Sequence, residues 1–268
     1  MIGAIIGDIV GSRFEFDNLK SKDFELFTAQ SCFTDDSVMT MAIAKTLCDC
    51  RNNLSNLKDV SSHAIMNMQS FGRQYINAGY GNRFLQWLLS DDPKPYNSFG
   101  NGSAMRVSPV GFIAKDLNEC KALSRAVTEV THNHREGIKG AEAIAVCVFL
   151  AKSGLSKELI KNHVNNLYYN MDFTLDSIRE KYPFHVSCQQ SVPQAIEAFL
   201  ESNDFEDCIR NAISIGGDSD TIAAMAGSIA EAFYGVSDEL KAKAKSYCDS
   251  KMFCYIEELE NSIPKTHI

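Results

Sequence analysis

Apolar residues recur along this chain with the spacing of amphipathic helices. Between Ile222 and Phe233 they fall at positions i, i+3, i+4, i+7 and i+11, and Gly235 follows as a stop signal. Runs of the same kind cover residues 38–47, 140–152 and 191–202, with Pro193 near the expected first turn of the last run. Convincing strands of alternating apolar and polar residues are absent. The pattern therefore predicts an all-α fold.

Small side chains recur on two segments at intervals that place them on one helix face. Because small residues let helix backbones approach closely, we expect tight packing at both. They are Gly3, Gly7 and Gly11, and Ala223, Ala226 and Ala230. Long irregular stretches are expected only at residues 77–102 and 170–190. No internal repeat or linker is present, so we expect one domain over residues 1–268.

Composition narrows the set of partners. The formal net charge is -8, and the densest group of lysines, at residues 241–245, is typical of a solvated helix face. Binding to a nucleic-acid backbone is therefore not expected. The nine cysteines include no CxxC pair, which indicates reduced thiols rather than a disulfide framework.

The apolar start of the chain has no basic segment before it and is soon interrupted by Asp8 and Arg13. It does not match a signal peptide. No stretch approaches the roughly 18 uncharged apolar residues that cross a bilayer. We expect no membrane partner and a cytoplasmic location.

Two short acidic clusters, far apart in the chain, each precede an apolar helical run. They are FTDDS at residues 33–37 and GGDSDT at residues 216–221. Carboxylate and hydroxyl oxygens are ligands for hard cations such as Mg²⁺, Ca²⁺ or Mn²⁺. The alternative is helix capping, since Thr and Asp are favoured N-cap residues. Capping needs one oxygen per helix, whereas four carboxylates brought together without a cation would repel one another.

A glycine-rich segment at residues 97–106 is the third candidate site. Gly100 and Gly102 flank Asn101, so we expect positive φ angles and a close approach of backbone N–H groups to a ligand. The spacing matches neither of the common nucleotide-binding loops, and a plain turn is the alternative. His132 and His134 could bind a ligand or serve as hydrogen-bonded structural residues.

Five motifs, taken in order, resemble the ADP-ribosylglycohydrolase family. They are GAIIGDIVGSRFEF, FTDDSVMTMA, NSFGNGSAMRVSPVG, THNHREGIKGAEAIA and IGGDSDTIAAMAGSIAEAFYG, and together they span nearly the whole chain. The glycine-rich motifs are weak individually, whereas TDD followed by GGDSDT is specific. The resemblance implies a compact, single-domain orthogonal helix bundle and two Mg²⁺ or Mn²⁺ ions.

The resemblance also implies roles for single residues. Glu15 and Asp218 are both candidates for the general acid or base, and Asp220 is expected to bridge the two cations. Phe184 or Tyr182 is expected near the adenine. The implied metal ligands are Thr34, Asp35, Asp36, Asp218, Asp220 and Thr221. The implied substrate-binding residues are Gly79, Tyr80, Gly81, Asn97, Ser98, Phe99, Gly100, Asn101, Gly102 and His132.

The activity implied by the resemblance is metal-dependent hydrolysis of the glycosidic bond between ADP-ribose and an acceptor, such as an Arg or Ser side chain of a modified protein. One alternative is a hydrolase of a small ADP-ribose or nucleoside conjugate. Another is a binding module without turnover. Such a module would be expected to lose metal ligands, and here all six of the implied positions are Asp or Thr.

Overall fold

The computed structural model describes residues 1–262, and their regular structure is helical. Within this range there is no β-strand, and one isolated bridge pairs Gly100 with Ser187. The all-α prediction is confirmed. Residues 263–268 of the expected domain lie outside the described residues.

Fourteen α-helices follow one another within the described range, with short 3-10 turns at Ser12–Phe14 and Asn101–Ser103. The helices are α1 Ile2–Gly11, α2 Asp35–Asp49, α3 Leu57–Gln74, α4 Asn82–Leu89, α5 Ser108–Ile113, α6 Leu117–Thr128, α7 Arg135–Lys152, α8 Lys157–Leu167, α9 Leu175–Ile178, α10 Cys188–Leu200, α11 Phe205–Ser214, α12 Ser219–Tyr234, α13 Asp238–Lys245 and α14 Ser250–Ser262.

Helix α12 lies at the centre of the bundle and packs against α1, α7, α10 and α11. Its residues are buried on every side from Ser219 to Ala230. An apolar helix buried all round needs neighbours on all faces, which the surrounding helices provide. The acidic cluster at its start is therefore held by a rigid element.

Helix α1 packs on α12 with its backbone in contact. A Cβ atom on Gly7 would lie 2.1 Å from the carbonyl oxygen of Ala223, and one on Gly11 would lie 2.5 Å from the Cα of Asp220. Real Cβ atoms do not come so close to backbone, so only glycine fits at these positions. The close packing expected of this glycine run is confirmed. It places the end of α1 beside the first turn of α12.

Several element boundaries were predicted wrongly. Helix α10 begins at Cys188, so Pro193 lies inside it rather than in its first turn. The reason is a long-range contact, since the N–H of Cys188 donates to the carbonyl of Phe99 at 3.0 Å. Helices α4 and α9 fall within the two stretches expected to be irregular, whereas a long irregular segment follows Phe14 up to Thr34.

All nine cysteines are free thiols, as the spacing predicts, and Cys147 is fully buried in α7. Across residues 1–262, no helix combines the length and apolar character that crossing a membrane requires.

Candidate functional site

A cleft of about 420 Å³ opens where the first turns of α2 and α12 meet the glycine-rich loop. Both acidic clusters are therefore brought together, as the sequence predicts. The predicted site residues that line this cleft are Glu15, Asp35, Asp36, Gly79, Gly81, Ser98, Gly100, Asn101, Gly102, His132, Asp218, Asp220 and Thr221.

The capping alternative accounts for one of the two clusters only. Thr34 is the N-cap of α2, and its hydroxyl accepts a hydrogen bond from the N–H of Asp36 at 3.3 Å. Asp218 occupies the N-cap position of α12, but its side chain makes no capping bond there. Its carboxylate accepts instead from the side-chain amide of Asn101 at 2.7 Å. The second cluster is thus directed towards the glycine-rich loop.

Hydrogen bonds also connect the two clusters to each other. The Thr221 hydroxyl donates to Oδ2 of Asp36 at 3.1 Å, and the Thr221 N–H donates to Oδ1 of Asp220 at 2.9 Å. The second oxygen of Asp36, Oδ1, is buried without a hydrogen-bond partner. A buried carboxylate oxygen without a donor is costly, so this atom is a strong candidate cation ligand.

The carboxylates form two adjoining groups that share one residue. Oxygens of Asp8, Asp36 and Asp220 lie within 4.8 Å of one another, and so do oxygens of Glu15, Asp218 and Asp220. None of the ion pairs among residues 1–262 involves these side chains. Carboxylates without ion-pair partners at this spacing fit hard divalent cations, and Asp220 belongs to both groups.

Asp8 is a member of this cluster that the sequence analysis missed. Its buried carboxylate accepts from the N–H and hydroxyl of Thr34 at 2.8 and 2.7 Å, and also from the N–H and hydroxyl of Ser37. Four donors leave it well satisfied, so its main effect is to fix the start of α2 and the direction of the Thr34 hydroxyl. A charged residue flanked by buried isoleucines was the available signal, because it requires polar partners.

Burial and mutual repulsion raise the pKa values of the carboxylates that line the cleft. These carboxylates are called the acidic wall below and belong to Glu15, Asp35, Asp36, Asp218 and Asp220. Burial raises the pKa of Asp35 to about 8, with the charges of Asp8, Asp218 and Glu15 adding to it. Burial likewise raises the pKa of Glu15 to about 7, with further contributions from Asp218 and Asp8. Carboxyl groups with pKa values raised this far take up protons at neutral pH unless a cation is bound.

The metal-free protein is therefore expected to lose stability as the pH rises. The folded-state pKa values of Asp35 and Glu15, about 8 and about 7, exceed ordinary values. The folded state then binds more protons, so the stability is highest below about pH 4, falls as the pH rises and the unfolded state alone ionises, and levels off once the pH has passed 7 to 8. In EDTA, the melting temperature should fall across this window, and excess Mg²⁺ should remove most of the fall. A rise with pH in EDTA would contradict this.

His132 also lines the cleft, and its imidazole is neutral. Burial first, and then the charge of Arg106, holds the pKa of His132 well below its usual range. Arg106 donates to the Thr131 hydroxyl at 2.7 Å, and that hydroxyl lies 2.7 Å from Nδ1 of His132. The Thr131 hydroxyl therefore connects the guanidinium of Arg106 to the His132 ring. The sequence analysis assigned no role to Arg106, because its contact with Thr131 joins residues far apart in the chain.

The glycine-rich loop differs from its predicted conformation. Gly100 has a φ of -63°, and neither it nor Gly102 has a positive φ, so that reason for glycine was wrong. The N–H groups of Gly100 and Asn101 donate to Ser98 and Val186, at 3.2 and 2.8 Å. The bridge to Ser187 keeps the loop extended there. What glycine provides is space, because a Cβ on Gly102 would lie 3.6 Å from Nε2 of His132.

Replacing Gly102 by valine is expected to weaken ADP-ribose binding by about tenfold or more, because the side chain fills space in front of His132. The protein should still fold, since a Cβ there makes only ordinary contacts of 3.6 Å or longer. Calorimetry should show Mn²⁺ affinity changed far less than ADP-ribose affinity. Unchanged ADP-ribose affinity in the folded variant would remove this loop from the site.

The remaining predicted residues lie at the margin of the cleft. The ring of Tyr80 is buried and packs 5.7 Å from that of Phe84. Asn97 is exposed with a φ of 55°, and Phe99 is exposed with its ring 5.4 Å from that of His134. His134 itself caps α7 by accepting from the N–H of Glu136. Further lining residues that the sequence analysis did not select are Asn82, Arg83, Phe84, Tyr96, Met105, Arg106 and Val186.

Comparison with known proteins agrees with this geometry. A family model described as ADP-ribosylglycohydrolase matches residues 1–265. The chain belongs to the ADP-ribosylglycohydrolase family. Membership confirms the resemblance read from the five motifs and supports an enzyme that hydrolyses a glycosidic bond of ADP-ribose.

Individual members of the ADP-ribosylglycohydrolase family are distant relatives. The chain is 25% identical to ADP-ribosylhydrolase ARH3 of Mus musculus, over 88% of this chain and 83% of that protein. It is 27% identical to ADP-ribosylarginine hydrolase Tri1 of Pseudomonas putida, over 88% of this chain and 70% of that protein. A solved ADP-ribosylglycohydrolase-related protein complex shares the fold, with a TM-score of 0.69, 22% identity and coverage of 97% of this chain and 95% of that one.

Proposed function

We propose that this protein cleaves the bond between the distal ribose of ADP-ribose and an acceptor, using two hard divalent cations, Mg²⁺ or Mn²⁺, held at the acidic wall. It would act in the cytoplasm on an ADP-ribosylated protein or a small ADP-ribose conjugate. The observation that carries this proposal is that one and the same cleft is lined by residues of both acidic clusters, by the glycine-rich loop and by His132. Two relatives named for hydrolysis of ADP-ribosyl linkages support it.

The residues expected to hold the cations are those of the two clusters. Asp220 belongs to both carboxylate groups and Asp36 has an unpartnered oxygen, so these two are the strongest candidates. Thr34, Asp35, Asp218 and Thr221 complete the proposed set. When bound, such cations supply Lewis acidity that orients the ribose and makes a nearby water more acidic.

The two ends of the cleft suit the two ends of ADP-ribose. The diphosphate is expected near Ser98 and Nε2 of His132, where Arg83 also lines the cleft. Burial lowers the pKa of Arg106 to about 10, so this guanidinium stays charged at neutral pH and adds positive potential behind His132. The distal ribose is then expected at the carboxylates, because no other lining residues form a comparable acidic surface.

Glu15 is the proposed proton carrier. No hydrogen bond or ion pair among residues 1–262 holds its half-buried carboxylate, whereas Asp218 is fixed by Asn101. A carboxyl group with a pKa of about 7 can take a proton from water and later release it. The water oxygen forms the new bond to the anomeric carbon, the bond to the acceptor breaks with its electron pair going to the acceptor, and the proton passes from Glu15 to the acceptor atom.

A substrate panel tests this proposal. Purified protein is assayed with ADP-ribosyl-arginine, ADP-ribosyl-serine, O-acetyl-ADP-ribose and poly(ADP-ribose), in Mg²⁺, in Mn²⁺ and in EDTA. We expect release of ADP-ribose from at least one protein-type linkage in either cation and none in EDTA. Binding of ADP-ribose without turnover of any substrate, in protein loaded with metal, would contradict it.

A further inference from the structure

Two exposed phenylalanines lie side by side, and each belongs to a segment that also contributes a residue to the cleft. The ring of Phe16 is 85% exposed and that of Phe184 is 44% exposed. Their centroids are 6.1 Å apart and their planes differ by 26°, so they stack on each other and leave much of Phe16 open. Single exposed apolar residues are ordinary, but a stacked aromatic pair beside a site indicates a surface for a ligand.

Every exposed phenylalanine among the side chains that the structure describes lies within two positions of a residue that lines the cleft. Besides Phe16 and Phe184 there is Phe99, in the glycine-rich loop. Phe16 directly follows Glu15, and Phe184 comes shortly before Val186; both neighbours line the cleft. Exposed phenylalanine side chains therefore occur in segments that carry cleft-lining residues.

The direction of the chain places Phe99 and Phe184 at different ends. The N–H of Cys188 donates to the carbonyl of Phe99 at 3.0 Å, and the N–H of Asn101 donates to the carbonyl of Val186 at 2.8 Å. The two segments thus run antiparallel, and Phe184 lies beyond Asn101. Since the Asn101 side chain donates to Asp218, that is the acidic end. An adenine contact at Phe184 does not fit this placement.

Hydrogen bonds hold the segments that carry the pair. The Asn18 side chain donates to the carbonyls of Glu15 and Gly217, at 3.0 and 2.9 Å, and accepts from the N–H of Gly217 at 2.7 Å. The Lys20 ammonium donates to the carbonyl of Tyr182 at 2.9 Å. These bonds attach both segments to the loop before Asp218, so the aromatic surface is positioned in advance of binding.

The charges on either side of Phe16 in the chain favour a cation. Glu15, the residue before Phe16, lines the cleft, and Asp17, the residue after it, is exposed. The two basic side chains of this segment are directed elsewhere, since Lys20 donates to Tyr182 and Arg13 donates to the carbonyl of Glu25. Aromatic faces beside carboxylates are a recognised environment for a planar guanidinium.

We propose that Phe16 and Phe184 form the acceptor subsite, and that the acceptor is an arginine whose guanidinium stacks on the open face of Phe16 near the carboxylates of Glu15 and Asp17. This inference rests on the proposed function, because it needs the distal ribose at the acidic wall. A serine acceptor has no planar cation and gains nothing from this surface.

The test compares two peptides that differ only in the acceptor, ADP-ribosyl-arginine or ADP-ribosyl-serine. Phe16→Ala and Phe184→Ala should each lower kcat/KM on the arginine peptide by about tenfold, and at least about threefold more than on the serine peptide. Phe16→Tyr, which keeps the ring, should retain the discrimination. Phe99→Ala is the matched control, and its effect should be the same on both peptides. Circular dichroism and a cooperative thermal melt verify that each variant is folded.

Equal losses on both peptides, no loss in the alanine variants, or a wild-type preference for the serine peptide would overturn the acceptor subsite while leaving the proposed hydrolysis intact. If wild-type protein with metal hydrolyses neither peptide nor any other ADP-ribosyl substrate, the proposed function fails, and the acceptor subsite fails with it.

Discussion

Replacing Asp220 by asparagine is expected to lower turnover by about a thousandfold or more, because it removes the charge shared by both carboxylate groups. The fold should persist. The asparagine oxygen can still accept from the N–H of Thr221, as Oδ1 of Asp220 does at 2.9 Å.

The same substitution should stabilise the metal-free protein. Repulsion from Asp36 and Asp218, after burial itself, holds the pKa of Asp220 well above its usual range. Asparagine removes this repulsion, so the melting temperature in EDTA should rise while activity is lost. Asp238→Asn is the matched control: it lies in the first turn of α13, outside the cleft, and should leave activity unchanged. A less stable Asp220→Asn protein with near-normal activity would favour helix capping as the role of this cluster.

Replacing Gly7 by alanine is the second large effect that we expect. The new Cβ would lie 2.1 Å from the carbonyl oxygen of Ala223 and 2.6 Å from the N atom of Ala224, so α1 and α12 must separate. We expect a loss of about 3 kcal/mol or more in the free energy of unfolding. Because Asp8 follows Gly7 and holds the start of α2, Mn²⁺ affinity should fall in any protein that remains folded.

Gly154→Ala separates this steric effect from the general cost of losing a glycine. Gly154 has a φ of +79° with no atom within 4 Å of an added Cβ, so alanine there should cost only about 1 kcal/mol of backbone strain. Urea unfolding of both variants gives the comparison. If Gly7→Ala were no more destabilising than Gly154→Ala, the close contact between α1 and α12 would be refuted.

What could be predicted from the sequence was local. The periodicity around Ile222 predicted the helix α12, although as an amphipathic helix and not as one buried on every side, and the acidic clusters predicted two helix starts with hard oxygen ligands. Both required only the residues next to one another in the chain. Glu15 was proposed as a catalytic residue from the family resemblance of its motif, and the structure places its carboxylate within 4.8 Å of oxygens of Asp218 and Asp220.

What could not be predicted depends on contacts between distant segments. The Asp8 carboxylate reaches the start of α2 because glycines bring α1 against α12. Arg106 is connected to His132 through the Thr131 hydroxyl. The early start of α10 depends on the carbonyl of Phe99. Each of these is set by tertiary packing, which overrides local propensity.

Titration of metal-free protein with Mn²⁺, followed by assay of the same sample, tests most directly whether the acidic wall is a two-cation centre required for hydrolysis. We expect two ions per chain in the wild type, loss of Mn²⁺ affinity in Asp220→Asn, and release of ADP-ribose only after the metal is added. Full turnover in protein verified to be free of metal would contradict this.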